Sequence, residues 1–400
     1  MKSPSYPVLI VTLLTIVSSM IAPGSGTENE QIQKDSEKLN LSKPNNITQN
    51  YDDSVYPQIS SSSNNIYIVW QESVGSYGTT NYDIFFKKSN DDGNSFGSPI
   101  NLSDNIGFSE HPQIASVGNH VYVVWVDDSS GQREVMFSKS IDSGKTFSNS
   151  IVVSQNSLGP YHAELAAKGQ NVYIVWNSFG METSNIILLA KSNDEGKTFG
   201  ELIEIGEGDT ETYPKIAAND NEYYITWDRR DHKDTEILLS KGHKDYNIQN
   251  VTQIEKLNNE DVDGGESQVA ADANRVIVTW TSNIPINKKY VYVSSSMNNG
   301  NDFGDNIPIS STNSSNVENI IIDDNSYIVW QDNIDGNHDI FYTKGNTNGI
   351  SIDKPLNVSN NIGISECPSI AVSTSAIHMI WEDDTTGNHE VLYKRLSKMA

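Results

Sequence analysis

The side chains best suited to chemistry in this chain are carboxylates, and four pairs of them recur at fixed spacing. Glu72 goes with Asp83, Asp127 with Glu134, Asp332 with Asp339, and Asp383 with Glu390. The first member stands two residues after a tryptophan; the second opens the next strand-like run, so each pair faces itself across a hairpin. Like charges opposed across strands are unfavourable unless they are solvated or bridged. Two readings follow. Asp127, Glu134, Asp332, Asp339, Asp383 and Glu390 are oxygen donors of the kind that hold Ca2+, or they are turn acids bonded to water and backbone. No cofactor is required by either the composition or a motif. At the equivalent place elsewhere Arg229 stands opposite Glu236, where an ion pair is expected.

Other chemistries lack their signatures. There is no Gly-x-Ser-x-Gly elbow, phosphate loop, dinucleotide fingerprint or His-Glu-x-x-His, and His111, His162, His338 and His389 are scattered through loops. The 52 acidic residues outnumber the 27 basic ones, for a formal charge of −25. That balance argues against nucleic acid and anionic membranes, whose phosphates need clustered Lys and Arg. It suits cations, basic proteins or neutral glycans, and it also keeps an exported protein soluble.

The elements that position these acids are counted by the tryptophans. Trp70, Trp125, Trp176, Trp227, Trp280, Trp330 and Trp381 each end a short apolar run such as Val121-Tyr122-Val123-Val124-Trp125. A self-similar unit of about 50 residues marks a radial or stacked repeat. In the unit after Pro112, Gln113–Val117 reads as one strand, Gly118-Asn119 as a tight turn, and His120–Val126 as a second strand. Glu134–Ser138 and Ile151–Val153 follow as the third and fourth. Four short antiparallel strands make one propeller blade. The expected fold is all-β, a seven-bladed β-propeller of four-stranded antiparallel blades. The last unit stops without a fourth strand, and Lys38–Ser42 has the character of one, so the N-terminal strand is expected to complete the last blade and close the ring. One tryptophan per unit at one position is what packing between blades requires.

The turn between third and fourth strands reads S-N-D-D-G-N-S-F from Ser89, S-I-D-S-G-K-T-F from Ser140 and S-N-D-E-G-K-T-F from Ser192, with a weaker copy from Ser296. It resembles the Asp-box, or bacterial neuraminidase repeat, of sialidases and related propellers, with Asp91, Asp142 and Asp194 as its structural aspartates. The resemblance implies a site on the face opposite these turns. The candidates there are Tyr161, His162, Glu164, Glu211, Tyr213, Arg229 and Arg230, with Glu110, Asp261, Asp263, Glu266 and Glu366 on the entry loops. It also implies three arginines on the substrate carboxylate, a tyrosine nucleophile and acidic partners. Here the chain departs from the family. It has five arginines, of which Arg275 and Arg395 fall on the turn face, and the Phe-Arg-Ile-Pro motif is missing. Sialidases also have six blades. The resemblance therefore carries the scaffold and not the catalytic set.

Residues 1–26 read as an export signal, with Lys2 ahead of the apolar run Val8–Ala22 and small residues after it. Residues 27–37 read as a disordered polar leader and 38–400 as one propeller domain. The mature chain is expected at the cell surface or secreted, without a transmembrane segment. The single cysteine, Cys367, precludes an intramolecular disulfide and is expected in a core. Sequons lie at Asn40, Asn46, Asn101, Asn250, Asn313 and Asn357; repeat inheritance explains the N-L-S and N-V-S copies as well as glycosylation does. The function expected is recognition of a glycan or an extracellular protein without catalysis, with a sialidase-type glycoside hydrolase as the alternative.

Overall fold

The computed structural model describes residues 43–398 apart from 76–80, 156, 158, 180–184, 209–211, 232–233, 246–253, 258–263, 283–287, 311–312, 335 and 347–352. The export signal, the leader and the stretch Lys38–Ser42 lie outside the described residues. Within them, seven sheets of four antiparallel strands follow one another. The first strands, among them Ser54–Ser62, Ser109–Val117, Tyr161–Lys168 and Ser365–Val372, touch one another in cyclic order, last against first, so the chain forms a closed propeller. No helix among the described residues is long and apolar enough to cross a membrane.

Closure uses the N-terminal strand, though not at the expected residues. Asn45 and Asn46 pair with Tyr393 and Leu392 of the last blade, and Ile47 N–H donates to the Val391 carbonyl at 2.8 Å. The equivalent of Asn101-Leu102-Ser103 is thus Asn46-Ile47-Thr48. Its asparagine repeats a local turn: Asn46 Oδ1 accepts from Gln49 N–H at 3.0 Å, as Asn101 Oδ1 does from Asp104 N–H at 2.9 Å and Asn357 Oδ1 from Asn360 N–H at 2.9 Å. Asn101 and Asn357 also donate to Asp83 and Asp339 at 2.7 and 2.8 Å. The repetition of these sequons has a structural reason.

All seven tryptophans are at most 1% exposed. Six apolar clusters each join a tryptophan to the preceding blade: Trp176 packs with Tyr122, Val124 and Phe137, and Trp70 with Ile380, Val391 and Tyr393 across the closure. The acid pairs fall in the expected register, with Glu72 opposite Asp83, Asp127 opposite Glu134, Asp332 opposite Asp339, and Asp383 opposite Glu390. Their partners explain the spacing. The indole N–H of Trp70, Trp125, Trp330 and Trp381 donates to Glu72, Asp127, Asp332 and Asp383 at 2.7, 3.2, 3.2 and 3.2 Å. A serine hydroxyl from the first strand joins each carboxylate, as Ser109 does to Asp127 at 2.8 Å. Three of the second acids are bridged too: Asp83 and Asp339 accept from Ser103 and Ser359, and Glu390 from Thr48. Donors from the blade's own strands thus separate the like charges. Among the described residues no three His, Cys, Asp or Glu side chains converge as a metal-binding group.

The Ser-x-Asp-x-Gly turns are built alike. Asp91, Asp142 and Asp194 accept the N–H of Ser95, Thr146 and Thr198 at 2.9, 3.0 and 2.9 Å. The Ser89 hydroxyl, followed by Ser95, holds the Asp91 carboxyl down to about 2. Gly144 has φ +71°, and a Cβ there would stand 2.7 Å from Phe86 of the preceding blade, so only glycine fits the turn. These turns share one face with the first hairpins, since Ser143 N–H donates to the Asn119 carbonyl at 2.9 Å.

Candidate functional site

On the opposite face the first strands enter the ring through β-bulges. The register slips between Val55 and Gln58, Glu110 and Gln113, Tyr161 and Glu164, Gly265 and Gln268, Ser315 and Glu318, and Glu366 and Ser369. At each slip one non-glycine residue is left-handed: Tyr56, His111, His162, Glu266, Asn316 and Cys367 have φ of 51°, 53°, 45°, 50°, 48° and 50°. Such a conformation costs about 1–2 kcal/mol per residue, and bulges of this kind re-aim side chains. Tyr213 takes the matching place in blade four, ahead of the strand Lys215–Ala218. Each of these seven residues stands fourteen positions before its blade's tryptophan. All seven line one central cavity of about 800 Å³.

The ring has two unlike halves. Across blades one to four, Tyr56, His111, His162 and Tyr213 form a continuous arc of rings with successive centroids 4.6, 3.9 and 4.2 Å apart. Tyr161 joins it 4.6 Å from His162, and Arg133 lies 4.8 Å over the Tyr161 ring while pairing with Glu110 at 2.9 Å. The other half presents Glu266, Asn316 and Cys367. One step further along the strands the lining is polar: Gln58, Gln113, Glu164, Lys215, Gln268 and Glu318. Lys215 pairs with Glu164, which also accepts from Gln113 at 3.2 Å; Gln58 donates to Glu318 at 3.4 Å and accepts from Ser369 at 3.1 Å.

Burial tunes these groups. It pushes the Glu318 carboxyl up to about 7, against the pull of Lys215. Burial alone would lower Lys215, but Glu164 and Glu318 outweigh it and the ammonium is stabilised. Burial, followed by Arg133 and Lys215, lowers His111 to about 4; burial and then His111 lower His162 as well. Burial raises Tyr56 to about 12, and lifts the Cys367 thiol with help from Glu382 and Glu366. At neutral pH the arc therefore offers neutral imidazoles and phenols, with a carboxyl opposite that titrates near neutrality. Such groups bind hydroxyl-rich ligands and are also the stuff of general acid–base chemistry.

Of the residues singled out from sequence, Tyr161, His162, Glu164 and Tyr213 come together here, along with Glu110 and Glu266. Glu211, Asp261 and Asp263 lie outside the described residues, as does the side chain of Arg230. Arg229 forms the expected ion pair with Glu236 at 2.8 Å and does not line the cavity. Glu366 pairs with His338 at 2.7 Å. The reading of Cys367 as a core thiol is corrected: it is half-buried at a bulge, because its left-handed backbone turns it to the channel, where Asn316 Nδ2 stands 3.9 Å from Sγ. Tyr56, Lys215, Asn316 and Glu318 were missed. The tryptophan spacing shifted by fourteen residues would have found the ring.

No family model and no curated protein matches the chain in sequence. Solved structures do match in shape. An ulvan lyase from a polysaccharide lyase family aligns with a TM-score of 0.61 at 11% identity, over 86% of this chain and 93% of that one. A Dyadobacter fermentans protein of unknown function aligns with a TM-score of 0.57 at 10% identity, over 89% and 98%. The Trypanosoma rangeli sialidase gives a TM-score of 0.51 at 11% identity, over 90% of this chain and 58% of its own length. The fold is that of the sialidase-like propellers. The described arginines of this propeller, however, do not gather. Arg275 pairs with Asp272 at 3.3 Å and Arg395 with Asp92 at 2.6 Å, both on the turn face, and among the described arginines Arg133 alone touches the residues of the cavity.

Proposed function

We propose that this chain is an exported carbohydrate-recognition propeller that takes its ligand into the central cavity. The observation carrying this reading is the arc Tyr56–His111–His162–Tyr213, aromatic rings beside a polar floor at the positions where the repeats differ. Sugar rings present apolar faces and hydroxyl edges, which such a surface complements. The sialidases and the polysaccharide lyase among its structural neighbours support a carbohydrate ligand. A concave, half-aromatic site favours glycan over a flat protein surface. Export rests on the apolar run Val8–Ala22. The acid pairs act as indole clamps in this reading and need no Ca2+, so EDTA is expected to leave the melting temperature unchanged; a fall would assign them a cation.

The test is a glycan array followed by calorimetric titration. Saturable binding that Tyr213→Ala removes without a change in melting temperature is expected, and no binding across the array would overturn the reading. One observation favours an enzyme instead: Glu318, raised to about 7, in the same cavity as two neutral imidazoles. That arrangement suits a carbohydrate-cleaving enzyme of the glycoside hydrolase class, although the scattered arginines speak against the sialidase form. Turnover of a sialyl or other glycoside, read as released sugar, would replace recognition by catalysis.

A further inference from the structure

Among the described residues the central cavity has a neighbouring cavity on the side of blade three. Through Tyr161 and Tyr213 it adjoins a second cavity of about 200 Å³, lined also by Gly159, Asn177, Ser178 and Phe179. Through Ser178 and Phe179 that space adjoins a third, of about 800 Å³, between blades two and three, with Ile186 and Leu188 in its wall. Sharing these walls, the three spaces line up as a trough from the ring centre outward.

Blade three also departs from the repeat here. Where four of the blades set an acid two residues after the tryptophan, this one has Ser178, opposite Ile186. The Trp176 indole N–H consequently has no acceptor. Blade five also leaves its indole, Trp280, without one, so that feature alone would carry nothing. Two further observations point to a ligand. Asn177 is 2% exposed, lines the trough, and its side-chain oxygen accepts no hydrogen bond; buried polar atoms are rarely left so. Phe179 is 53% exposed, and its ring rests against Gly159, where a Cβ would come within 2.5 Å of it. An exposed aromatic ring thus stands beside a buried acceptor.

From this, and resting on the carbohydrate reading above, we infer that the trough is a subsite for the following residues of a linear polysaccharide, with one sugar ring stacked on Phe179 and a hydroxyl donating to Asn177 Oδ1. The ligand is then an internal stretch or long end of a chain, and not a lone terminal sugar.

The experiment uses the whole chain and the oligosaccharide series that a glycan array of neutral, acidic and amino-sugar ladders selects. Affinity is expected to rise by about tenfold or more between the monosaccharide and the tetrasaccharide. Phe179→Ala should erase that gain, leave monosaccharide binding and the melting temperature unchanged, and be rescued by Phe179→Trp. Equal affinity for one and four residues would overturn the subsite and leave the central site standing. Loss of monosaccharide binding in Phe179→Ala would also overturn it, because Phe179 would then belong to the central site. An array without any ligand would sink both readings.

Discussion

The layer of tryptophans and the ring fourteen residues before them obey the same spacing and have opposite characters. In the outer layer the same residue recurs seven times, buried to 1% exposure or less. In the ring the same backbone position carries Tyr, His, His, Tyr, Glu, Asn and Cys. Packing between blades asks one thing of every repeat, whereas a ligand at the hub meets each repeat differently. Symmetry therefore marks what holds the molecule together, and its breakage marks what the molecule touches.

The comparison can be broken first at the tryptophans. Trp125→Ala should cost about 3–5 kcal/mol by denaturant titration, and Trp227→Ala a similar amount; a neutral result at either would detach the layer from stability. The closure comes next. Ile47 is 2% exposed among Trp70, Ile380 and Val391, so Ile47→Ala should cost about 2–4 kcal/mol. A smaller loss, about 1–2 kcal/mol, is expected for Asp127→Asn, which weakens the acceptor of the Trp125 and Ser109 donors; a larger loss than at Trp125 itself would reverse the order of layer and clamp.

The ring should respond to pH more than to truncation. Glu318 is held at about 7, above the 4.5 of an ordinary glutamate. The folded state then binds this proton more tightly than the unfolded chain, so stability from Glu318 is full below 4.5 and falls as pH rises through about 7. Glu318→Gln should flatten the melting-temperature profile between pH 5 and 8, and an unchanged profile would show that Glu318 titrates normally. His111, lowered to about 4 from 6.5, acts in the other direction: its contribution is lost as pH falls from 6.5 toward 4.

The fold was legible because tryptophan and turn chemistry are local and repeat. The register of the acid pairs followed from the same count, and so did the ion pair of Arg229 with Glu236. Their role was not legible, since an indole two residues earlier reads as core until its N–H is seen to point at the carboxylate. The closing strand was placed a few residues early, because Asn40-Leu41-Ser42 and Asn46-Ile47-Thr48 both fit the pattern and only pairing with Tyr393 and Leu392 distinguishes them. In the site, Tyr161, His162, Glu164 and Tyr213 stood out as departures from the repeat. Tyr56 and Asn316 did not, for a bulge that turns a residue into the channel leaves no mark on composition. Cys367 misled for the same reason.

The pairing of Asn46 with Leu392 also bears on how the chain reaches its native state. The first strand of the ring to be synthesised is the last to find its place, because its partner strand, Glu390–Ser397, follows all six other blades in the chain. Contacts this distant in sequence are slow to form, and until they form Ile47 and the wall of Trp70 stay uncovered. Six blades can assemble in order as the chain emerges; the seventh must wait, and the ring locks in one late step that joins its two ends.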